Sequence, residues 1–95
     1  MERTEQILHE AIEHFGDRKQ LVKSLEELGE LTQAIAKYFD DPSEKNRENI
    51  KEEMADVSIT LSQVMIITGI TTHQVAKVKA DKLDRLELYI QNFKK

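Results

Sequence analysis

The chain has 95 residues, which allow one domain over residues 1–95. Charged residues make up 34% of the sequence and aromatic residues 5%, which favours a helical fold with solvent-exposed helix faces. The net charge of −4 argues against nucleic acid as a partner, because binding a phosphate backbone requires a basic surface. With no cysteine and no apolar run longer than residues 64–67, the sequence excludes disulfides, thiolate metal sites and a membrane partner, and we expect a cytoplasmic protein.

Apolar residues at helical spacing predict four helices, and proline, glycine and capping residues mark where they end. The expected helices span about residues 3–15, 18–39, 44–68 and 72–93. We expect Asp17, Ser43 and either Thr71 or Thr72 to cap the last three, and Gly69 to end the third in a left-handed conformation. Because the loops are short, consecutive helices are expected to pack antiparallel, as in an all-α four-helix bundle.

Two acidic clusters of similar form lie in the second and third helices. Carboxylates three residues apart on a helix are neighbours, about 5–6 Å apart at Cβ. Helical projection places Glu27 and Glu53 on the apolar faces of their helices, with Glu30 and Asp56 beside them. If the two helices pack antiparallel, these four carboxylates converge on one point. The clusters are completed by residues nearer the polar edges, Glu26 and Glu52.

Converging carboxylates repel one another unless protons or a cation compensate their charge. Ligation by oxygen alone selects a hard ion, which predicts Mg²⁺, with Mn²⁺ or Ca²⁺ as alternatives. The competing interpretation is that these residues are ordinary glutamates on exposed helix faces, which bind nothing.

The fourth helix has cations on its apolar face. Lys79 and Lys82 project between apolar residues, and Arg85 lies at the edge of the same face. Such cations could hold the phosphates of a substrate bridged to the metal, stabilising developing charge from the opposite side. Alternatively, their aliphatic stems pack while the charged groups stay in water, or they pair with the acidic clusters.

The third helix has a second apolar line, formed by Ala55, Ile59 and Ile66, on the side opposite its main apolar face. A helix that is apolar on two sides is usually buried on two sides. A four-helix monomer cannot easily bury both, so this line predicts a subunit interface and an oligomer.

The segment from Leu25 to Leu31, followed by residues 52–57, resembles the Glu-x-x-Glu … Glu-x-x-Asp signature of MazG-like nucleoside triphosphate pyrophosphohydrolases. These enzymes form part of the all-α NTP pyrophosphatase superfamily. The similarity extends upstream to Phe15 and Gly16 and downstream to residues 79–85. The resemblance implies Mg²⁺-dependent hydrolysis of a (deoxy)nucleoside triphosphate to the monophosphate and pyrophosphate. It also implies a homodimer or homotetramer.

The resemblance assigns roles position by position. It implies four metal ligands: Glu27, Glu30, Glu53 and Asp56. It also implies that two further acids, Glu26 and Glu52, support catalysis together with Glu27. They would bind an additional ion or position the attacking water. Substrate contacts would come from Lys79, Lys82, Arg85, Gln20 and Lys23, the first three from the same or a neighbouring subunit. Many relatives carry an asparagine in the fourth-helix motif, whereas the nearby polar residues here are Asp81 and Asp84.

Two other functions remain open on the sequence. Phosphoribosyl-ATP pyrophosphohydrolase of histidine synthesis shares the acidic pattern, but that branch should have a Tyr-His pair soon after the aspartate. Here Asp56 is followed by residues 57–60, Val-Ser-Ile-Thr. The other alternative is a non-catalytic helical interaction module whose acidic clusters are structural or bind Ca²⁺. No aromatic pair or polar triplet stands out in the sequence as a reader of one base.

Overall fold

The structure is a computed structural model, and it describes residues 2–94. Within that range the chain forms four α-helices and no strand: α1 (Arg3–Phe15), α2 (Asp17–Asp40), α3 (Glu44–Thr68) and α4 (Thr72–Phe93). The predicted all-α class and the approximate helix bounds are therefore confirmed.

The junction between α1 and α2 is the single residue Gly16. It has a φ of 90° and serves as the N-cap of α2, so the predicted Asp17 cap is wrong. A positive φ favours glycine, which lets the chain turn within one residue. Asp17 instead begins the helix, where its negative charge interacts favourably with the N-terminal end of the helix dipole.

The remaining helix ends follow the predicted capping residues. The Ser43 hydroxyl accepts a hydrogen bond from the Asn46 backbone N–H at 3.2 Å, which caps α3. Gly69 ends α3 in the left-handed conformation, with a φ of 76°. Thr71 and Gln74 form a reciprocal capping box at the start of α4. Each of these contacts satisfies backbone groups that a helix end would otherwise leave unpaired.

The pair α2 and α3 forms the centre of the fold, and α1 packs against both. The Asn46 side chain near the start of α3 donates to the backbone carbonyls of Lys37 and Asp41 near the end of α2. At the other end, Gln20 of α2 and Gln63 of α3 line the same cleft. The two helices are therefore antiparallel, which places their acidic clusters opposite each other.

Helix α4 does not join this packing. The chain bends by 112° between α3 and α4, and α4 contains no buried residue. The expectation that α4 packs antiparallel on its neighbour is therefore wrong for the single subunit. The radius of gyration is 16.9 Å, whereas a compact chain of this length would have about 12 Å. The extended shape follows from α4, whose apolar face is not covered by any other helix within residues 2–94.

No single helix in residues 2–94 is long and apolar enough to cross a membrane. The one pair with sufficient combined apolar length, α3 and α4, is bent by the 112° turn at its junction.

Candidate functional site

Four carboxylates meet between α2 and α3. Glu27, Glu30, Glu53 and Asp56 each offer one oxygen atom, and these four atoms lie within 4.8 Å of one another. We call this group the acidic cluster. Two residues come from each helix, separated by nearly one turn, so that both carboxylates of a pair face the opposing helix. The structure thus brings together the set that helical projection had placed on facing helix surfaces.

Two oxygen atoms of the acidic cluster have no hydrogen-bond partner among residues 2–94. Glu27 is only 6% exposed, and its Oε2 atom is buried without a hydrogen-bond partner in the described part of the chain. The Oε2 atom of Glu53 is in the same condition. Leaving a buried acceptor unpaired costs about 1–3 kcal/mol, and more when it is charged. These unpaired oxygens are compatible with a positively charged ligand between the two helices.

Lys23 provides part of that charge. Its Nζ atom lies 3.0 Å from Oε1 of Glu27, one helical turn away. The hydrogen bond to Glu27 and the negative charge of that carboxylate raise the pKa of Lys23. This pair is exposed on the lysine side and leaves Oε2 of Glu27 without a partner. One flexible lysine therefore compensates one oxygen and not the whole cluster.

The concentration of negative charge in the acidic cluster affects the pKa of Glu53. Burial raises the pKa of this carboxyl most, and the negative charge of Glu30 and a hydrogen bond with its carboxylate raise it further. The negative charges of Asp56 and Glu27 act in the same direction. A divalent cation would supply the missing positive charge and would lower that pKa. The donor set is all carboxylate oxygen, which Mg²⁺ and Mn²⁺ accept and which softer ions do not select. The residues present therefore fit a hard divalent cation.

A cleft of about 530 Å³ adjoins the acidic cluster and shares Glu27 and Asp56 with it. It lies between α1, α2 and α3. Its apolar wall includes Phe15, Val22 and Ile59. Ile59 is one of the residues that the sequence had assigned to a subunit interface, and here it faces this cleft. The cleft therefore joins a charged end to an apolar body, which is the usual form of a small-molecule site.

Three buried, uncharged polar residues line the same cleft: Gln20, Thr60 and Gln63. The Thr60 hydroxyl donates to the Val57 carbonyl at 3.0 Å, so its hydrogen is used within the helix. The amide groups of Gln20 and Gln63 have no hydrogen-bond partner among residues 2–94. Two carboxamides are therefore held in a largely apolar cleft with their donors and acceptors unused.

Sequence reasoning identified Gln20 but missed Phe15, Thr60 and Gln63 as site residues. A signal for two of them was present, because Asp56, Thr60 and Gln63 lie at i, i+4 and i+7 on one face of α3. Polar residues at that spacing continue the acidic cluster along the helix. The opposite column on α2 is Gln20, Ser24 and Glu27, all three of which are buried.

The predicted supporting residues occupy different places. Lys23 and Glu26 line the cleft beside the acidic cluster. Glu52 does not: it is exposed and lines a separate depression with Lys37 and Lys45. Because Glu52 directly precedes Glu53, it projects about 100° away around the helix. Its predicted catalytic role is therefore supported by the family resemblance alone, and not by a position in the acidic cluster.

The predicted phosphate-binding cations are also apart from the acidic cluster within one subunit. Their side chains are exposed on α4, which does not pack on α2 or α3: Lys79, Lys82 and Arg85. The resemblance leaves open which subunit they would serve, and their predicted contact with phosphates stays a prediction.

Comparison with known protein families gives a match over most of the chain. The family model for the MazG nucleotide pyrophosphohydrolase domain matches residues 16–87. No match is found among curated proteins or among solved structures. The matched range holds both halves of the acidic cluster, most of the cleft and the α4 cations. Because it covers more than half of the sequence, the chain belongs to the MazG nucleotide pyrophosphohydrolase domain family.

Proposed function

We propose that this protein is a single-domain, Mg²⁺-dependent pyrophosphohydrolase that converts a (deoxy)nucleoside triphosphate to the monophosphate and pyrophosphate. The family supports nucleotide pyrophosphohydrolase activity in general. The observation that carries the finer proposal is the acidic cluster, with two buried and unpaired carboxylate oxygens beside a nucleotide-sized cleft. A triphosphate is the substrate class that places a metal-bridged anion next to a mostly apolar group.

The four carboxylates of the acidic cluster would hold the cation, with Mg²⁺ favoured and Mn²⁺ as a substitute. When bound, the ion supplies positive charge that neutralises the polyphosphate. The protein's own contribution is rigidity: the ligands come from two long helices packed against each other, so their oxygens are held near one point before the substrate arrives.

Lys23 would have different partners in the metal-free and the metal-bound protein. Without a cation it pairs with Glu27, and 57% of its side chain is exposed. If Glu27 holds a cation, the ammonium group of Lys23 would leave this carboxylate. Since Lys23 also lines the cleft, the released group would donate hydrogen bonds to a phosphate oxygen of the substrate. The lysine would thus exchange one anion for another as the site fills.

Glu26 is the residue we assign to proton transfer. It lines the cleft next to Glu27, is exposed to solvent and does not belong to the acidic cluster. An unligated carboxylate at this position would accept a proton from the attacking water. Glu52 is implied by the family resemblance alone and serves below as the comparison for Glu26.

We also propose that the active form is a homodimer or homotetramer in the cytoplasm. The chain exposes 7944 Å² of surface, whereas a compact monomer of its mass would expose about 5,600 Å². An excess of this size is comparable to the area that each subunit buries in a large obligate interface. Assembly would cover the apolar face of α4 and bring Lys79, Lys82 and Arg85 to the acidic cluster of a neighbouring copy.

Mixing inactive variants tests this shared site. The double variant Lys79→Ala/Lys82→Ala lacks the cations, and Glu53→Gln lacks a metal ligand. If each site combines two subunits, unfolding and refolding the two variants together restores part of the activity that each lacks alone. Activity that stays at the level of the separate variants, in samples with the mass of an oligomer, would contradict a shared site.

The activity itself is tested by pyrophosphate release. The panel contains all common NTPs and dNTPs, modified nucleotides and phosphoribosyl-ATP, each with Mg²⁺ and with EDTA. We expect Mg²⁺-dependent release of pyrophosphate from at least one nucleoside triphosphate, and its loss in Glu53→Gln. Release from phosphoribosyl-ATP alone would assign the chain to the histidine-synthesis activity. A protein that binds Mg²⁺ but releases pyrophosphate from nothing in the panel would be a non-catalytic module.

A further inference from the structure

We propose that the cleft beside the acidic cluster is a nucleobase subsite, in which the Gln63 and Gln20 side-chain amides read the edge of the base and Gln63 determines base selectivity. This inference rests on the proposed function for the position of the phosphates. It goes beyond that function by naming the part of the protein that distinguishes one nucleotide from another.

The first argument is position. Glu27 and Asp56 belong to the acidic cluster and also line the cleft. A substrate whose phosphates lie at the cluster has its sugar and base a few ångströms further on. The polar columns of the two helices lead in that direction, from Glu27 back to Gln20 on α2 and from Asp56 forward to Gln63 on α3. The cleft is therefore where the nucleoside would lie.

The second argument is chemistry. A nucleobase is flat, uncharged and apolar on its faces, and it carries hydrogen-bond donors and acceptors at its edge. The cleft has the complementary arrangement, with Phe15, Val22 and Ile59 as apolar wall and two carboxamides. A carboxamide presents one acceptor and two donors in a plane, which pairs with adjacent donor and acceptor atoms on a base.

The third argument is where the Gln63 amide can find a partner. Gln63 is 5% exposed, and within residues 2–94 its amide group has no hydrogen-bond partner. Its amide atoms are not enclosed by protein, because the buried unpaired side-chain atoms of the described residues belong to Glu27 and Glu53. Since Gln63 lines the cleft, a ligand edge in the cleft would pair with this amide. A long apolar side chain from a second subunit would not, and for this reason we favour a base over a protein side chain as the occupant.

The test compares ligands with and without a base. Binding of Mg²⁺ complexes of non-hydrolysable nucleoside triphosphate analogues is measured by calorimetry, with inorganic tripolyphosphate as the probe that lacks a base. Gln63→Leu removes the amide at similar volume, and Gln63→Glu keeps an acceptor but loses the donor. The exposed Gln33 on α2, outside the cleft, provides the matched control Gln33→Leu.

We expect Gln63→Leu to weaken binding of the preferred nucleotide analogue about 10- to 100-fold, the range of a lost paired base contact, and to leave tripolyphosphate binding within about twofold. Gln63→Glu should change the order of preference among the bases. Gln33→Leu should change neither. If Gln63→Leu does not fold, judged by its melting transition, Gln63→Glu and Gln20→Leu decide the question on the same readout.

The proposal is overturned if Gln63→Leu leaves base selectivity unchanged, if it weakens tripolyphosphate and nucleotide equally, or if it changes the oligomeric mass and not nucleotide binding. Pyrophosphate release by the wild type is measured in parallel. Turnover with selectivity independent of Gln63 keeps the proposed function and removes the subsite. Base-selective binding through Gln63 without turnover keeps the subsite and removes the proposed function. The absence of both binding and turnover removes both.

Discussion

The α2–α3 pair and α4 depart from a simple helical bundle in opposite ways. The pair places acidic side chains where a core would have apolar ones, and leaves two of their oxygens unpaired. Helix α4 exposes a row of apolar side chains, including Val78, Leu86 and Phe93, and buries none. Both arrangements are unfavourable in an isolated subunit. The comparison supports two separate proposals, a divalent cation between α2 and α3 and a second subunit on α4.

The largest effect is expected from breaking the acidic cluster. Glu53→Gln removes a carboxylate but keeps its shape, so pyrophosphate release should fall by at least about 100-fold, the upper range for residues that only support a metal ligand. With EDTA the same variant should melt above the wild type, because repulsion within the cluster is relieved. Melting curves and initial rates measure the two effects.

The matched control for this variant is Glu10→Gln, an exposed carboxylate on α1 outside the cluster. It should keep wild-type activity and melting temperature. Equal losses of activity in both variants would contradict a specific role for the acidic cluster.

A smaller effect is expected from breaking the apolar face of α4. Leu86→Asp places a charge in that face, so the oligomer should dissociate and kcat/KM should fall about 10- to 100-fold through loss of the partner's cations. Light scattering after gel filtration gives the mass. Leu88→Asp is the matched control, since Leu88 is as exposed but lies on the other side of the helix.

For α4, the outcome that contradicts the account is a wild type that is monomeric and active. In that case its cations are not needed from a second copy. Dissociation by both Leu86→Asp and Leu88→Asp would instead show that the interface is not confined to the face described here.

A further prediction compares Glu26 and Glu52, two carboxylates that lie outside the acidic cluster. Glu26→Gln should lower kcat about 100-fold with little change in KM, the lower range for loss of a positioned general base. Glu52→Gln should lower kcat by less than about tenfold, because Glu52 lines a separate depression. Steady-state rates at saturating Mg²⁺ check both. The reverse order would mean that the family-based role of Glu52 outweighs its position in the isolated subunit.

The smallest predicted effect is on the pH dependence of metal-free stability. The pKa of Glu53 in the folded protein is raised above its ordinary value of 4.5. Its contribution to folding stability is therefore fully present below the pKa of Glu53 in the unfolded chain. That contribution is lost as pH rises through the pKa of Glu53 in the folded protein. Urea unfolding with EDTA should show wild-type stability declining over this window relative to Glu53→Gln. Parallel curves for the two proteins would contradict the prediction.

The sequence predicted the four helices, most of their caps and the meeting of the acidic residues, because those features depend on local periodicity and on short loops. The position of α4 could not be predicted in this way. An apolar stripe indicates that a helix face is buried, but it does not say whether the covering surface belongs to the same chain. The three-residue turn from Gly69 to Thr71 directs α4 away from the bundle.

The cleft was missed for a related reason. Gln63 and Thr60 lie among apolar residues of α3. A polar residue at such a position cannot be assigned to a site until the residues that face it are known. The facing residues come from two other helices, Phe15 at the end of α1 and Gln20 near the start of α2. Such a site depends on the relative placement of three helices, which periodicity alone does not determine.

The central claim is that the acidic cluster is a divalent-cation site, and binding of Mg²⁺ to the metal-free protein tests it most directly. An ion that binds only the folded state raises its melting temperature. We predict a saturable rise with Mg²⁺ and with Mn²⁺ for the wild type and for Glu10→Gln, and no rise for Glu53→Gln. No rise in the wild type, or an equal rise in Glu53→Gln, would contradict the account.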